Sequence, residues 1–518
     1  MNESKIDSIL KKIFVVFILI QPFLDIYFLY TDTVMNVFKF SPSTLIRFVV
    51  IGVLFVYMIF KYRKDKKILP VIGYIVFSIL YAIIHHLFVR NFKSFDPNNF
   101  NYSVFTEFFY IARLILPVII MFIVIDFKFK FEDFIKYLEI VACIVGTVIV
   151  FSNIFKIGLG SYTNEIIKDN IFGWFTGAYT KYSFYELASK GWFNFANQIS
   201  ALLLLLCVVT IYSFIKKMTI FKGYNIVVIL LSMLMIGTKV ALYGAYLSLS
   251  IIGLIYIIDL IKNKKIGDID KKSIIVVLIL FVGYTGIVKF SPGKNRAEIN
   301  NYIAENREKK TDEEDEIDME ELNKELEIVK NGTNEEKIDF IENNYEYYSI
   351  APEFIEDSYS YKIDPDFWLN EFQKPLTDRL NYRKLEEQMI KRVVEVNGNS
   401  NSRWFGISYI RVQNIFNIER DFILQYYTIG IIGLVLFIFI PFIASIIMCG
   451  CVILKKSKDL LNIENMLLIA SVILILGIAY FSGNIIDSLI ITIYMSFIIG
   501  ILFNNIFKEK SESKDIEE

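Results

Sequence analysis

Residues 240–261 read VALYGAYLSLSIIGLIYIIDLI. A helix that crosses a bilayer needs about 20 mostly apolar residues in a row, and this stretch supplies them. Working outward, eleven more runs share the pattern: Ile13–Tyr30, Thr44–Phe60, Val71–Val89, Val104–Ile125, Leu138–Phe155, Phe195–Ile211, Tyr224–Ile236, Ile274–Phe290, Gln425–Leu454, Met466–Phe481 and Ile485–Phe507. Tyr224–Ile236 is short, and Gln425–Leu454 is long and carries Pro441. The first run follows Lys5, Lys11 and Lys12, as a signal peptide would. It lacks a small-residue cleavage site and continues through Pro22 and Asp25, so it is read as a retained anchor. The expected fold class is an all-α, polytopic integral membrane protein of about 12 transmembrane helices.

Composition points the same way. Of 518 residues, 55% are hydrophobic and 21% charged, against roughly 45–50% and about 25% in soluble domains. With 54 Lys and Arg against 55 Asp and Glu, the chain carries no basic excess and no nucleic-acid partner is expected. Cys143, Cys207, Cys449 and Cys451 all lie in apolar runs, so no disulfide framework is implied. His85 and His86 are neighbours, about 100° apart on a helix, and cannot clamp one metal together. No metal and no cofactor are expected.

Basic residues set the orientation. One set of loops, including Lys61–Lys67, Lys128–Lys136 and Lys262–Lys272, holds 25 Lys and Arg; the opposite short loops hold eight. The positive-inside rule then places both termini in the cytoplasm. Ser291–Arg420, 130 residues with no spanning run, becomes one large extracytoplasmic loop between helices 9 and 10. The expected layout is membrane domain 1–290, loop domain 291–420, membrane domain 421–510 and a cytoplasmic tail 511–518. Within the loop, Glu305–Glu342 is acidic, with Asp312–Glu316 its densest part, and reads as a solvated, partly helical hairpin. A smaller loop, Lys156–Trp192, carries Trp174, Tyr179, Tyr182, Tyr185 and Trp192, which suits a headgroup-level or sugar-binding surface. Asn331-Gly-Thr333 reads as a chance sequon.

Charges inside a bilayer are costly and face a partner or a cavity. Asp25, Arg47, Glu107 and Arg113 lie within runs, and Lys239 lies at the end of one. Asp25 pairing with Arg47 is one reading. The other is a cationic, outward cavity for a lipid-linked phosphate, since arginine's planar fork grips phosphate oxygens. Neither a phosphate-binding G-x-x-x-x-G-K-[ST] loop nor a dinucleotide fingerprint is present. Energy for any reaction would have to arrive in an activated substrate.

Several short elements resemble the bacterial O-antigen ligase and O-antigen polymerase (Wzy-type) superfamily. Lys190-Gly-Trp-Phe-Asn-Phe-Ala-Asn197-Gln-Ile-Ser-Ala looks like its Gly…Asn signature opening a span. Gly237-Thr-Lys239-Val-Ala-Leu-Tyr-Gly244 resembles its small-residue turn with a basic residue, and Leu376-Thr-Asp-Arg379-Leu-Asn-Tyr382 its Ser-Gly-Arg-x-x-Tyr element. Trp404-Phe-Gly406, Ile418-Glu419-Arg-Asp421 and Gly430-Ile-Ile-Gly433 resemble its closing stretch, and Ser482-Gly-Asn484 its last turn. The ligases carry a loop histidine proposed as catalytic; this loop has none, which favours the polymerase-like Gram-positive branch. The resemblance implies a GT-C-like glycosyltransferase in the bacterial cytoplasmic membrane. It would polymerise polyprenyl-pyrophosphate-linked oligosaccharide units into a surface polysaccharide. Its partners would be the lipid-linked donor, a lipid-linked glycan acceptor, membrane lipid, and a chain-length regulator or flippase.

On this reading Arg47, Arg113, Lys239, Arg379, Arg403 and Asn197 bind the pyrophosphate or the substrate. Glu419 and Asp421, where loop meets span, are the candidate bases, one of them orienting an arginine such as Arg403. A helix N-cap at Asp421 is the alternative for that residue. Two rival functions stand beside polymerisation: ligase-type transfer of a finished glycan to a lipid, wall polymer or protein, and a polysaccharide transporter or flippase. A transporter predicts repeat symmetry and interrupted spans in both halves, and neither is evident.

Overall fold

A computed structural model describes residues 5–31, 33–34, 41–96, 100–264, 271–299, 319–380, 382–415, 418–456 and 458–507. The acidic run Asp312–Glu316 and the tail 511–518 lie outside them. Among the described residues, ten helices are long and apolar enough to cross a membrane, against the 12 expected. The main helices are α1 (Lys5–Ile20), α2 (Pro42–Lys61), α3 (Leu69–Val89), α4 (Val104–Asp126), α5 (Phe131–Ile154), α6 (Ala196–Lys216), α7 (Ile220–Met235), α8 (Lys239–Asn263) and α9 (Lys271–Val288). There follow α10 (Met319–Val329), α11 (Asn334–Asn344), α12 (Pro365–Phe372), α13 (Tyr382–Asn397), α14 (Tyr409–Ile415), α15 (Asp421–Leu434), α16 (Ser445–Lys456), α17 (Ile463–Phe481) and α18 (Leu489–Phe507). The count falls short at two places. Apolar α7 is only 16 residues long, and the run Ile13–Tyr30 is helical only as far as Ile20, then turns through Gln21–Asp25, with Pro22 at the break.

The chain divides into two compact units. The first comprises Met1–Ile75, Ile115–Ala297 and Phe439–Glu518; the second comprises Val76–Leu114 and Glu298–Ile438. The second unit takes in parts of α3 and α4 and the whole of α15.

In the first unit α6 is apolar all round and buried along nearly its whole length, touching α5, α7, α8 and α9. A helix without a polar face belongs in an interior. Small residues let neighbours close in: a Cβ on Gly244 would come within 2.9 Å of Leu204, and one on Gly500 within 2.7 Å of Val124. The pairing of Asp25 with Arg47 is present. Arg47 is 1% exposed and grips both Asp25 oxygens at 2.9 Å, while its Nε donates to Gln21 Oε1 at 2.8 Å. That inward turn of Gln21 and Asp25 is what ends α1 early.

The second unit has its own core, including Phe354, Trp368, Met389, Val412 and Leu424. The acidic hairpin is helical in its described part, α10 and α11. Thr333 starts α11: its hydroxyl accepts the Glu336 N–H and the Glu336 carboxylate accepts the Thr333 N–H. The Thr of the sequon is thus a helix cap.

Candidate active site

Glu419 meets helix α13 where the loop enters the span. Spacing along α13 puts Leu385, Met389, Ile390 and Val393 on its buried face, and Glu386 shares that face, three and four residues from Met389 and Ile390. Glu386 is 2% exposed, and its Oε2 accepts the backbone N–H of Glu419 at 3.3 Å. One turn earlier, Arg383 donates through Nε and Nη2 to Glu419 Oε2 at 3.1 and 2.9 Å. Arg420 lies 3.6 Å from Glu387. Burial first, then the Glu419 charge, push the Glu386 carboxyl up to about 8, although the Glu419 N–H and the two arginines pull the other way. The junction thus carries one half-exposed carboxylate held by an arginine and one buried carboxyl beside it.

The arginine paired with Glu419 is Arg383, not the Arg403 named from the sequence. Arg403 sits on the short helix Ser402–Phe405, exposed, 5.7 Å from the Trp404 ring centroid. Asp421 is not the N-cap of α15. Arg420 holds that position, and Asp421 is buried in the first turn.

Above this junction the span is broken. Gly430 has φ 65° and ψ −175° inside α15, and a Cβ there would lie 2.3 Å from the Trp404 backbone. Gly406, at φ 75°, is as close to Thr428. Only glycine permits this approach. The loop strand uses it: Ile407 N–H donates to Tyr427 O at 2.8 Å and Ser408 N–H to Thr428 O at 3.3 Å. Two motif elements far apart in sequence, Trp404-Phe-Gly406 and Gly430-Ile-Ile-Gly433, therefore form one structure.

His85 and Glu107 lock it. His85 Nδ1 is 2.6 Å from Phe405 O, and Nε2 is 2.8 Å from Glu107 Oε1; Tyr409 N–H donates to Glu107 Oε2 at 2.9 Å. Tyr81 donates to Ile429 O. His85 is fully buried and Glu107 1% exposed. With both nitrogens so engaged, His85 serves as a clamp and not as a base. Sequence reasoning set both histidines aside and missed this clamp. Arg411, also buried, donates to Phe100 O at 3.0 Å, Ile407 O at 3.2 Å and Val89 O, and burial lowers it to about 10. Arg379 is half-buried and donates to Lys374 O at 3.0 Å and to Tyr348 O, and burial lowers its pKa from the usual arginine value. Arg113 is half-buried on α4, its guanidinium 5.8 Å from the Tyr110 ring centroid.

The first unit holds the other expected residues, Arg47, Asn197 and Lys239. Arg47 is committed to Asp25. Asn197 lies half-buried in the first turn of α6, and one turn on, Ser200 shares a hydrogen bond of 2.7 Å with Thr238, the N-cap of α8. The two motif elements, residues 190–201 and Gly237–Gly244, are thus joined. Gly237 turns at φ 68°, and its carbonyl accepts Tyr162 OH at 2.8 Å. Arg296, which sequence reasoning did not select, donates to Tyr162 OH at 2.8 Å and stacks on its ring at 4.7 Å. Arg47 and Arg379 therefore spend their guanidinium groups on internal partners and do not line the expected cationic cavity.

Lys239 stands exposed at the head of α8 and of a groove of about 1010 Å³. The groove runs along α8 through Tyr243, Leu247 and Ile258 and is walled opposite by Gly450, Gly477 and their neighbours. Among the described residues of its wall, Lys239 alone is charged. In the Lys156–Trp192 loop, Trp174 is turned inward at 3% exposure, so the aromatic surface is Phe172, Phe175 and Tyr185. Lys190 is buried there on a short strand, Ser189–Gly191, donating to Asn164 Oδ1 at 3.0 Å, and burial lowers it to about 8. No group of three or more metal-ligating side chains occurs among the described residues.

The chain matches the family described as O-antigen ligase like membrane protein over residues 7–509, and it belongs to that family. No curated protein matches it. Membership makes it a multi-pass membrane protein and suggests a role in glycan transfer.

Proposed function

We propose that this member of the O-antigen ligase-like family polymerises polyprenyl-pyrophosphate-linked oligosaccharide units into a surface polysaccharide at the outer face of the cytoplasmic membrane. The observation that carries the reading is the groove headed by Lys239. From Lys239 to Ile258 it follows α8 for about 28 Å at 1.5 Å per residue, the depth of a bilayer's hydrocarbon core. An apolar wall of that length with one cation at its head matches a long prenyl chain ending in an anion. Arg296, tied through Tyr162 to the turn that presents Lys239, would add a second positive group beside the pyrophosphate. Asn197 is a further contact proposed for the donor's pyrophosphate, and Arg113 and Arg403, within the second unit, are proposed for the acceptor glycan; Arg47 and Arg379 serve the scaffold.

In the reaction, a carboxylate takes the proton of an acceptor hydroxyl as that oxygen bonds to the donor's anomeric carbon. The bond from that carbon to the pyrophosphate oxygen breaks, and polyprenyl pyrophosphate leaves. Glu419 is the proposed base, because Arg383 holds its carboxylate with two hydrogen bonds and it remains half-exposed. Asp421, buried in the first turn of α15, shapes the helix end. The family's description favours a second reading, transfer of a finished glycan to another acceptor, and product length separates the two.

Gly450 and Gly477 offer a direct test, since a Cβ at either meets nothing within 4 Å. Gly477→Leu should insert and fold yet fill the groove. With purified protein and a lipid-linked repeat unit, KM for the full-length prenyl donor should rise at least tenfold, while a short-prenyl donor is used as before. A ladder of products supports polymerisation, and single additions support ligation. An unchanged KM for the long donor in Gly477→Leu and Gly450→Leu would remove the groove from the mechanism.

A further inference from the structure

We infer that Glu386 is a positioning residue for Glu419, holding the loop-to-span junction in register only while its own carboxyl carries a proton. The inference rests on Glu419 acting as the base. Its geometry stands apart from that: a 2% exposed carboxyl on the apolar face of α13 takes the backbone N–H of the residue whose side chain does the chemistry.

The charges around Glu386 explain why it must be neutral. From α13 itself the neighbours are Arg383 and Glu387; from the junction they are Glu419 and Arg420. Both arginines are engaged, Arg383 on Glu419 and Arg420 toward Glu387. The helices packed on α13 turn their charges elsewhere: Arg379 to the Lys374 and Tyr348 carbonyls, Asp378 to Lys384, and Arg411 to the Val89, Phe100 and Ile407 carbonyls. An ionised Glu386 would be a buried anion beside a second anion. As an acid it still accepts the Glu419 N–H through its carbonyl oxygen.

The sign follows from the raised pKa. A carboxyl moved from its usual 4.5 to about 8 favours the folded junction fully below the ordinary carboxyl range. That contribution is lost as pH climbs, and the loss is complete once pH passes about 8. Above that, the Glu386 side chain must take on water, and the hold on Glu419 loosens.

The experiment compares pH–rate profiles of wild type, Glu386→Gln and Glu386→Ala with the lipid-linked donor. Wild type should lose about tenfold in kcat between pH 8 and 9.5, with KM for donor unchanged. Glu386→Gln, which keeps the acceptor oxygen and cannot ionise, should hold its activity across that range. Glu386→Ala should be low at every pH. An equal alkaline loss in wild type and Glu386→Gln overturns the assignment. If wild type transfers no glycan at any pH, the glycan-transfer reading fails, and amide exchange then decides on Glu386 alone. Corrected for base catalysis, protection of the Glu419 N–H should fall above pH 8 in wild type and persist in Glu386→Gln; equal protection in both rejects the inference.

Discussion

Replacing His85 by alanine should release the loop from the broken span, and the size of the effect follows from the hydrogen-bond inventory. The two ring nitrogens of His85 face Phe405 O and Glu107 Oε1, and Glu107 Oε2 takes the Tyr409 N–H. Nδ1 must carry a proton, since a carbonyl can only accept. Nε2 and Glu107 Oε1 make the other hydrogen bond of the ring, at 2.8 Å. His85→Ala leaves a carboxyl oxygen and a carbonyl without partners in a site with no exposure. Breaking a buried pair from one side costs about 3–5 kcal/mol.

Glu107→Gln should behave differently. Its amide oxygen can keep the Tyr409 N–H, and its NH₂ can donate to the Nε2 lone pair of neutral His85, so every group stays satisfied. The cost should be under about 1 kcal/mol. The assay is hydrogen exchange of the Tyr409 and Ile407 amides in the purified protein, since local opening reports local free energy. Exchange should quicken roughly 10²–10⁴-fold in His85→Ala and by less than about tenfold in Glu107→Gln. Equal exchange in wild type and His85→Ala, or equal damage from both substitutions, would refute the clamp.

Two further expectations concern the junction and the topology. Arg383→Ala should lower polymer output by reducing kcat with little change in KM, Arg383→Lys should recover only part because the two-point grip is lost, and Arg403→Ala should leave the Arg383–Glu419 pair in place; kcat and KM of each variant check this. Single cysteines near Asn331 and near Lys64, in a chain cleared of its four native thiols, should be labelled by an impermeant reagent in intact cells at the first site only; the reverse pattern would invert the orientation.

What the sequence makes legible is what lies along one dimension. Apolar runs mark spans because a bilayer demands about 20 such residues together, and Arg47 pairs with Asp25 because intramembrane charges must find partners. The same rule, carried one step further, reaches the clamp. His85 lies four residues before the end of α3 and Glu107 three after the start of α4, so in consecutive antiparallel helices the two sit at one depth. Glu107 drew attention as a charge, while His85 was not weighed as its partner. Arg383 is a different matter. It lies 36 residues from Glu419, and nearness in sequence pointed to Arg403 because only the packing of α13 brings the true partner in. Glu386 falls between these cases. Its neighbour Glu387 shares a face with Lys391, to which it is paired at 3.0 Å, whereas Glu386 keeps step with Met389, Ile390 and Val393. A helix that places an acid on its apolar stripe has marked that acid for burial, and a buried acid with no cation of its own holds its proton. That phase relation was available in the sequence, and it points to the residue whose titration the pH–rate profile will read.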